Sequence, residues 1–442
     1  MNTSVLKETL KPENSNRLNS YFPARTNDSA EAYDWNIAKA IFVRDLYRRQ
    51  PVAGGMEAFK AEAKNEFLQL LDDEDFWPHL EAMYFGEESI YRLTPESLLF
   101  ELDDLKDSAS KHRLGRMFSS LLQGTYMEVS HCGSSHFLDK KMINALQSKG
   151  LRSLDKTKHR PGAGERPWLP FLSEAFQQDA KFLASKPDYM LEQLEPFLRL
   201  YAYLYTAQLS LNIHGWASGE PKARPLYFMM EHEVASKERS QLTQYGHKKV
   251  LERLKDLFPY LVVNEALQQV NEHRNERLRP LWYLNQKLID TDAAKLRLFA
   301  FAFAQEREYE MPDGNDFDDA ASWLNQILKL YCMQFEKGRT RASANNKFVK
   351  YTEEFLCSTF VRSRGRSGKV LVMNQDYLSL LTNLAIGDND KLRFHELLTA
   401  FNSRGVFFDK QSQQALIEFF ERMGNVERMS DSGDAVYVRK TV

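Results

Sequence analysis

At 442 residues and 43% hydrophobic content, the chain is long enough for two or three domains with filled cores. A formal net charge of −2 sets up no global field toward nucleic acid or a membrane surface, so any such attraction has to come from local patches. Three widely spaced cysteines, Cys132, Cys332 and Cys357, argue against a disulfide framework, and the lack of a CxxC pair argues against a zinc ribbon; a reducing, cytoplasmic setting is expected.

Met1-Asn-Thr-Ser-Val-Leu-Lys-Glu8 is polar and charged without the apolar core of a secretory signal, so export is not indicated. Helical periodicity then dominates from about residue 35 to residue 335 and strand patterns are nearly absent, which predicts a mostly helical body over residues 1–335. Proline and glycine collect in Pro161-Gly-Ala-Gly164 with Pro167 and Pro170, again between 215 and 225, and in Pro312-Asp-Gly-Asn-Asp316. A break into subdomains is expected near 155–170 or 215–225. No self-similar period is visible, which disfavours a regular solenoid.

Lys140, Lys141, Lys149, Arg152, Lys156, Lys158, Arg160 and Arg166, opposed only by Asp155 and Glu165, read as a charged surface loop. Residues 200–219 carry no Asp, Glu, Lys or Arg over about the length of a membrane span. Tyr201, Tyr203, Tyr205, Thr206, Gln208, Ser210, Asn212 and His214 put too many polar groups there for lipid, so a buried core helix is predicted and no membrane partner.

The candidate chemical motifs each fail on spacing. Glu231-His232-Glu233 is placed on a helix, with its carboxylates on different sides and Ser236 where a metalloprotease needs a second histidine. His131, Cys132 and His136 lack a fourth zinc ligand, and Asp313-Gly-Asn-Asp-Phe-Asp-Asp319 departs from a calcium loop at Asp318 and Leu324. Pro187-Asp188 with Glu192 lacks the lysine of a two-metal nuclease. Gly365-Arg-Ser-Gly-Lys-Val370 has Ser363 where a P-loop needs its first glycine and Val370 where it needs a magnesium-binding hydroxyl, so it reads as a basic turn. No cofactor, metal ligand or catalytic residue is assigned. Cys332 and Cys357 lie in apolar helical patterns as small buried hydrophobes.

Residues 336–368 form a basic joint. From Lys337 to Lys369 nine basic residues face only Glu353 and Glu354, and Arg339, Arg341, Lys347, Lys350, Arg362, Arg364, Arg366 and Lys369 are candidate phosphate contacts. If about five met phosphates, the log–log salt slope of binding would be near −4.5.

Residues 369–442 read as a winged helix, so the fold class expected is mainly α, a helical body with a C-terminal α+β winged-helix module. Lys369-Val-Leu-Val-Met373 is β-rich, and Tyr377, Leu380, Leu381 and Leu384 recur at helical spacing up to Gly387. Phe394, Leu397, Leu398 and Phe401 repeat the pattern up to Gly405. Asp409 can cap a third helix that buries Leu416, Phe419, Phe420 and Met423. Residues 425–429 and 435–438 flank the turn-rich Ser430-Asp-Ser-Gly-Asp434 as a hairpin. The third helix offers Lys410, Gln413, Gln414 and Arg422 to a groove, but also Glu418 and Glu421; residues 391–442 carry eight basic and seven acidic residues. Such a module serves DNA or a partner protein.

Asn19-Ser-Tyr-Phe-Pro23 with Arg25 and Trp35, Phe228-Met-Met-Glu-His-Glu-Val-Ala-Ser236 running to Tyr245-Gly246, and residues 405–441 with Phe408-Asp-Lys-Gln-Ser412, Gly424-Asn425, Ser430-Asp-Ser-Gly-Asp-Ala435 and Tyr437-Val438 carry a family likeness. On them the chain resembles the DptG component of bacterial phosphorothioation-dependent DNA restriction systems. The resemblance implies an anti-phage restriction assembly that attacks DNA lacking a sulfur modification. It implies companion ATPase and translocase subunits and double-stranded DNA as partners, and a scaffolding, DNA-contacting role for this chain. The alternative is a metal-dependent nuclease subunit of the same assembly whose carboxylates meet only in the fold, with Glu231, Glu233 and the Asp313 to Asp316 loop as candidates.

Overall fold

The apolar helical rhythm of the body condenses around one long central helix. The computed structural model describes residues 4–13, 18, 22–26, 29–70, 74–102, 110–129, 136–155, 159, 166–235, 239–268, 280–311, 317–429 and 435–442, and it is mainly helical with small sheets. Its helices run α1 (Trp35–Tyr47), α2 (Gly55–Leu68), α3 (Trp77–Phe85), α4 (His112–Leu122), α5 (Phe137–Ala145), α6 (Pro170–Ala184), α7 (Pro187–Asn212), α8 (Ser240–Gln244) and α9 (His247–Leu254). They continue with α10 (Leu257–Ala266), α11 (Leu281–Lys287), α12 (Asp292–Glu306), α13 (Ala320–Met333), α14 (Ala342–Thr352), α15 (Gln375–Ile386), α16 (Phe394–Ser403) and α17 (Lys410–Arg422).

Helix α7 opens on Pro187, whose fixed φ and missing N–H suit a first turn. α1, α6, α9 and α15 all pack on it. Every residue from 200 to 210 is buried, so the helix is enclosed on all sides. Several polar groups inside find partners: the Tyr201 hydroxyl donates to Asp179, Ser210 to the Thr206 carbonyl at 2.8 Å, and Gln208 to the Arg224 carbonyl at 2.8 Å, whereas the buried Tyr203 and Thr206 hydroxyls have none among the described residues. The tyrosine-rich stretch is thus a core helix, and among the described residues no helix is long and apolar enough to cross a membrane.

Nine short strands are described: β1 (Arg49–Pro51), β2 (Leu151–Ser153), β3 (Leu226–Met230), β4 (Val361–Ser363), β5 (Lys369–Met373), β6 (Lys391–Arg393), β7 (Val406–Phe408), β8 (Val426–Met429) and β9 (Ala435–Arg439). β1 and β2 pair antiparallel, and β4–β5–β3–β7 form a mixed sheet. The helix expected at Glu231-His232-Glu233 is not formed: β3 ends at Met230 and those residues lie in the turn after it. Leu226-Tyr-Phe-Met-Met230 is a short apolar and aromatic run behind Pro225, too brief for a period to distinguish buried strand from buried helix. The chain then turns, with the Glu233 amide bonded to the Met230 carbonyl at 3.1 Å.

β3 is central. It runs parallel to β5, with Phe228 opposite Leu371, and parallel to β7, with Phe228 opposite Phe408. One strand from the body therefore stitches together strands that lie well over a hundred residues later. The stretch between body and C-terminal unit is equally embedded: Phe348 of α14 is fully buried and stacks on Phe258 at 4.9 Å.

Beyond β5 the order is α15, β6, α16, β7, α17, β8, β9, and the last three-stranded sheet has the order β6–β9–β8, antiparallel throughout. Asp409 caps α17, accepting from the Ser412 amide at 2.9 Å. Leu416, Phe419 and Phe420 are buried as expected, whereas Met423 is 50% exposed. α17 ends at Arg422, so Met423 sits past the last turn, off the apolar stripe. Two of the contacts that seat the unit on the body lie at the end of α16. Arg404 makes a buried two-pronged ion pair with Asp179 of α6, and Gly405, at φ +86°, presses its Cα face against the Gln208 side chain of α7.

Candidate nucleic-acid interface

The joint's cations are only partly available. Arg339 is exposed, its guanidinium 5.2 Å over the Tyr309 ring, and Arg341 is half-buried, with burial lowering its pKa. Lys347 and Lys350 stand on the exposed side of α14. Helix α14 has 11 residues, so its two ends lie about 16 Å apart at 1.5 Å per residue. At the far end Lys350 and Lys369 meet in a cleft of about 340 Å³ with Glu353, Glu354, Ser358 and Val361. Lys369 is paired there with Glu353, which also contacts His247 at 3.3 Å. Burial alone would raise the Glu353 carboxyl, but the hydrogen bonds from Lys369 and His247 prevail and hold it below its usual range. The cleft is close to charge-balanced.

The β4–β5 hairpin turns at Gly365 and Gly368, both at positive φ, as the basic turn required. Arg362 projects from β4 and folds back on the Ser358 and Val361 carbonyls at 3.2 and 3.0 Å. Arg364 donates to the Glu231 carbonyl at 2.6 Å, tying the hairpin to the turn after β3. The side chain of Arg366 lies outside the described residues. The structure thus brings Arg362, Arg364 and Lys369 onto one hairpin beside Lys350, and leaves Arg339 and Arg341 at the opposite end of α14.

On α17, Lys410, Gln414 and Arg422 are exposed, while Gln413 is half-buried and donates to the Phe408 carbonyl at 2.8 Å. The same exposed row carries Glu418, 3.5 Å from the Gln414 amide, and Glu421, paired with Arg428. Its positive charge is cancelled along its own length.

A face that sequence reasoning missed lies on the β6–β9–β8 sheet. Register places Lys391 opposite Arg439, Arg393 opposite Tyr437, and Glu427 opposite Tyr437 on the other side. Side chains two apart share a face, so Lys391, Arg393, Tyr437, Arg439 and Glu427 form one surface. Leu392, Val426 and Val438 point the other way; Val438 is fully buried. Tyr437 sits at the centre, with Lys391 and Arg393 ammonium and guanidinium groups 5.1 and 5.8 Å from its ring, and its hydroxyl accepts from Arg393 at 3.0 Å. Glu427 accepts from Lys391 at 2.9 Å and Arg439 at 2.6 Å, and these two hold its carboxyl below the usual range. Three cations therefore surround one carboxylate and one aromatic ring. The available signal was the period-two pairs Lys391-x-Arg393 and Tyr437-x-Arg439.

The carboxylates considered for chemistry have other work. Glu233 is buried between Arg239 at 2.8 Å, Ser412 at 2.9 Å and the Met230 amide at 2.6 Å, and Arg239 goes on to Asp409. Glu231 is exposed. Asp313 and Asp316 lie outside the described residues, as do His131 and Cys132; Asp319 caps α13 through the Ser322 amide at 2.7 Å. Among the described residues no group of three or more His, Cys, Asp or Glu could hold a metal ion. Burial pushes the Cys332 thiol up to about 12 and the Cys357 thiol well above its usual range, which makes both poor nucleophiles. The chain matches no protein-family model and no curated protein.

Proposed function

We propose that this chain is a non-catalytic, DNA-contacting and scaffolding subunit of the kind its resemblance to the DptG component implies, acting in phosphorothioation-dependent restriction. Residues 369–442 serve in this reading as a winged helix, with its helices and closing sheet within 375–439. The observation that carries it is the C-terminal topology: three helices with β6 after the first and two strands after the last, closing in the sheet order β6–β9–β8, while β7 between the second and third helices pairs with β3 of the body. That is the strand order of a winged helix, and its exposed sheet face carries Lys391, Arg393 and Arg439 around Tyr437. Cations interleaved with an aromatic ring suit a phosphate backbone with a sugar or base beside it.

The other support is spatial. Two of the blocks that carry the resemblance meet through β3 and β7 and through the Glu233–Arg239–Asp409 ion pairs. The helical body, built on α7, is the docking scaffold for companion ATPase and translocase subunits, which perform the nucleotide-driven steps.

Fluorescence anisotropy on a double-stranded oligonucleotide across a salt series tests the DNA contact. Replacing Lys391, Arg393 and Arg439 together by glutamine removes up to three phosphate contacts and flattens the log–log slope by about 2.7. An Arg362/Lys369→Gln variant is expected to change it by less, because Lys369 already pairs with Glu353. No binding by the intact chain at low salt, or an unchanged slope in the strand-face variant, would sink the reading.

A further inference from the structure

Away from the C-terminal unit, the ends of α1 and α4 and the strand β2 frame a pocket of about 380 Å³, within the range of small-molecule sites. Its walls are pinned by main-chain bonds from three segments: the Met127 amide to the Leu46 carbonyl at 2.8 Å, the Leu154 amide to the Arg48 carbonyl at 2.8 Å, and Val52 to Gly150 at 3.0 Å. The pocket is therefore built into the fold.

Arg48 dominates it. The residue is only 8% exposed and caps α1 in the left-handed region at φ 51°, ψ 47°, a conformation that a side chain with a Cβ adopts at a cost. Its guanidinium lies 4.0 Å from the Tyr126 ring centroid, and Nη2 donates to the Gly124 carbonyl at 3.0 Å. Nε is buried with no hydrogen-bond partner. No carboxylate reaches ion-pair distance of it among the described residues. The other charged side chains on the lining are Arg49 and the exposed Glu128. The buried carboxylate behind the wall, Glu96, is already bonded to Thr94 and to Gln147.

A buried guanidinium normally meets a carboxylate or a phosphate, because an uncompensated buried charge is destabilising. Here it is held in a strained backbone, over an aromatic ring and on the lining of an open cavity that a second arginine shares. We infer that this pocket binds a small phosphate monoester, with the phosphate on Arg48 and Arg49 and the organic part against Met127 and Val129. The volume exceeds what a bare oxyanion needs, which favours an ester of nucleoside-monophosphate size.

The test is thermal stabilisation and calorimetric titration of the full chain with adenosine monophosphate and, separately, inorganic phosphate, at matched ionic strength, with acetate as a carboxylate control. Adenosine monophosphate is expected to bind more tightly than inorganic phosphate. Arg48→Gly suits the positive φ of its position, and it is expected to weaken binding about ten- to a hundred-fold while the unliganded protein keeps its circular dichroism. Tyr126→Leu, at a 43% exposed position, is expected to weaken it less and serves if Arg48→Gly does not fold. Equal response to phosphate and ester would reduce the site to a bare oxyanion pocket and overturn the ester assignment. A response that survives both substitutions, a stronger response to acetate, or no response of the intact chain at millimolar ligand would overturn the proposal.

Discussion

Replacing Arg404 by leucine tests how the C-terminal unit is held in register with the body. Arg404 and Asp179 have side chains 6% and 1% exposed. Nε bonds Oδ2 of Asp179 at 2.9 Å while Nη2 reaches the other oxygen; Tyr201 donates to the same carboxylate, and Nη1 reaches the Ala400 carbonyl at 2.8 Å. Burial by itself would lower the Arg404 pKa, but the Asp179 charge beside it prevails and raises it, so the guanidinium stays charged. Removing the guanidinium leaves a buried carboxylate with one tyrosine hydroxyl as solvent, a loss of about 3–5 kcal/mol for breaking one side of a buried pair. Urea unfolding followed by tryptophan fluorescence reads this as a lower midpoint, and amide exchange in α15 to α17 should rise with it as the unit loosens. The Asp179→Leu/Arg404→Leu double variant discards the stranded charge and should recover most of the loss, because apolar replacement of a whole buried pair is often neutral. A single variant costing under about 1 kcal/mol, or a double variant no better than the single, would refute the idea that the pair works by mutual compensation.

Gly405→Ala should lose about 1–3 kcal/mol in the same urea assay. The added methyl falls 2.2 Å from Gln208 Nε2, and Gln208 is held at both ends by the Arg224 main chain, so it has no room to yield; a silent substitution would show that it does. His247 carries a pH dependence. Burial pushes its imidazole below the ordinary value of 6.5 and Glu353 offsets only part of that, so the folded chain favours the neutral ring. The resulting stability is complete above pH 6.5 and is lost as pH falls from there through the lower folded-state value. The melting temperature of His247→Gln should therefore fall less than that of the parent between about pH 7.5 and about pH 5.5; a steeper fall in the variant would reverse the sign of the argument.

What was legible in the sequence is what local patterning determines. α15, α16, α17 and the closing strands were readable because Leu380, Leu384, Leu397, Phe401 and Leu416 repeat at helical spacing between Gly387, Gly405 and Asp409, each of which acts within one turn of its own position. β3 was not readable, because what makes Leu226-Tyr-Phe-Met-Met230 a strand is the pairing with Leu371 and Phe408, far away in the chain. Summing charge along the chain misled for a related reason. It credited the joint with cations that Glu353 and the Glu231 carbonyl already hold. It also scored residues 391–442 as nearly neutral, a balance that setting aside the buried Arg404 and Asp409, one charge of each sign, leaves unchanged, because a sum along the chain is blind to the face on which each charge sits. Once those are set aside, the remaining charge is sorted by face. Acidic Glu418 and Glu421 balance Lys410 and Arg422 on α17, whereas Lys391, Arg393 and Arg439 outnumber Glu427 on one side of the sheet because strands antiparallel in register bring residues 391 and 439 opposite each other. The β6–β9–β8 face, and not the helix that sequence alone favours, is where an anionic partner would meet the less repulsion of the two.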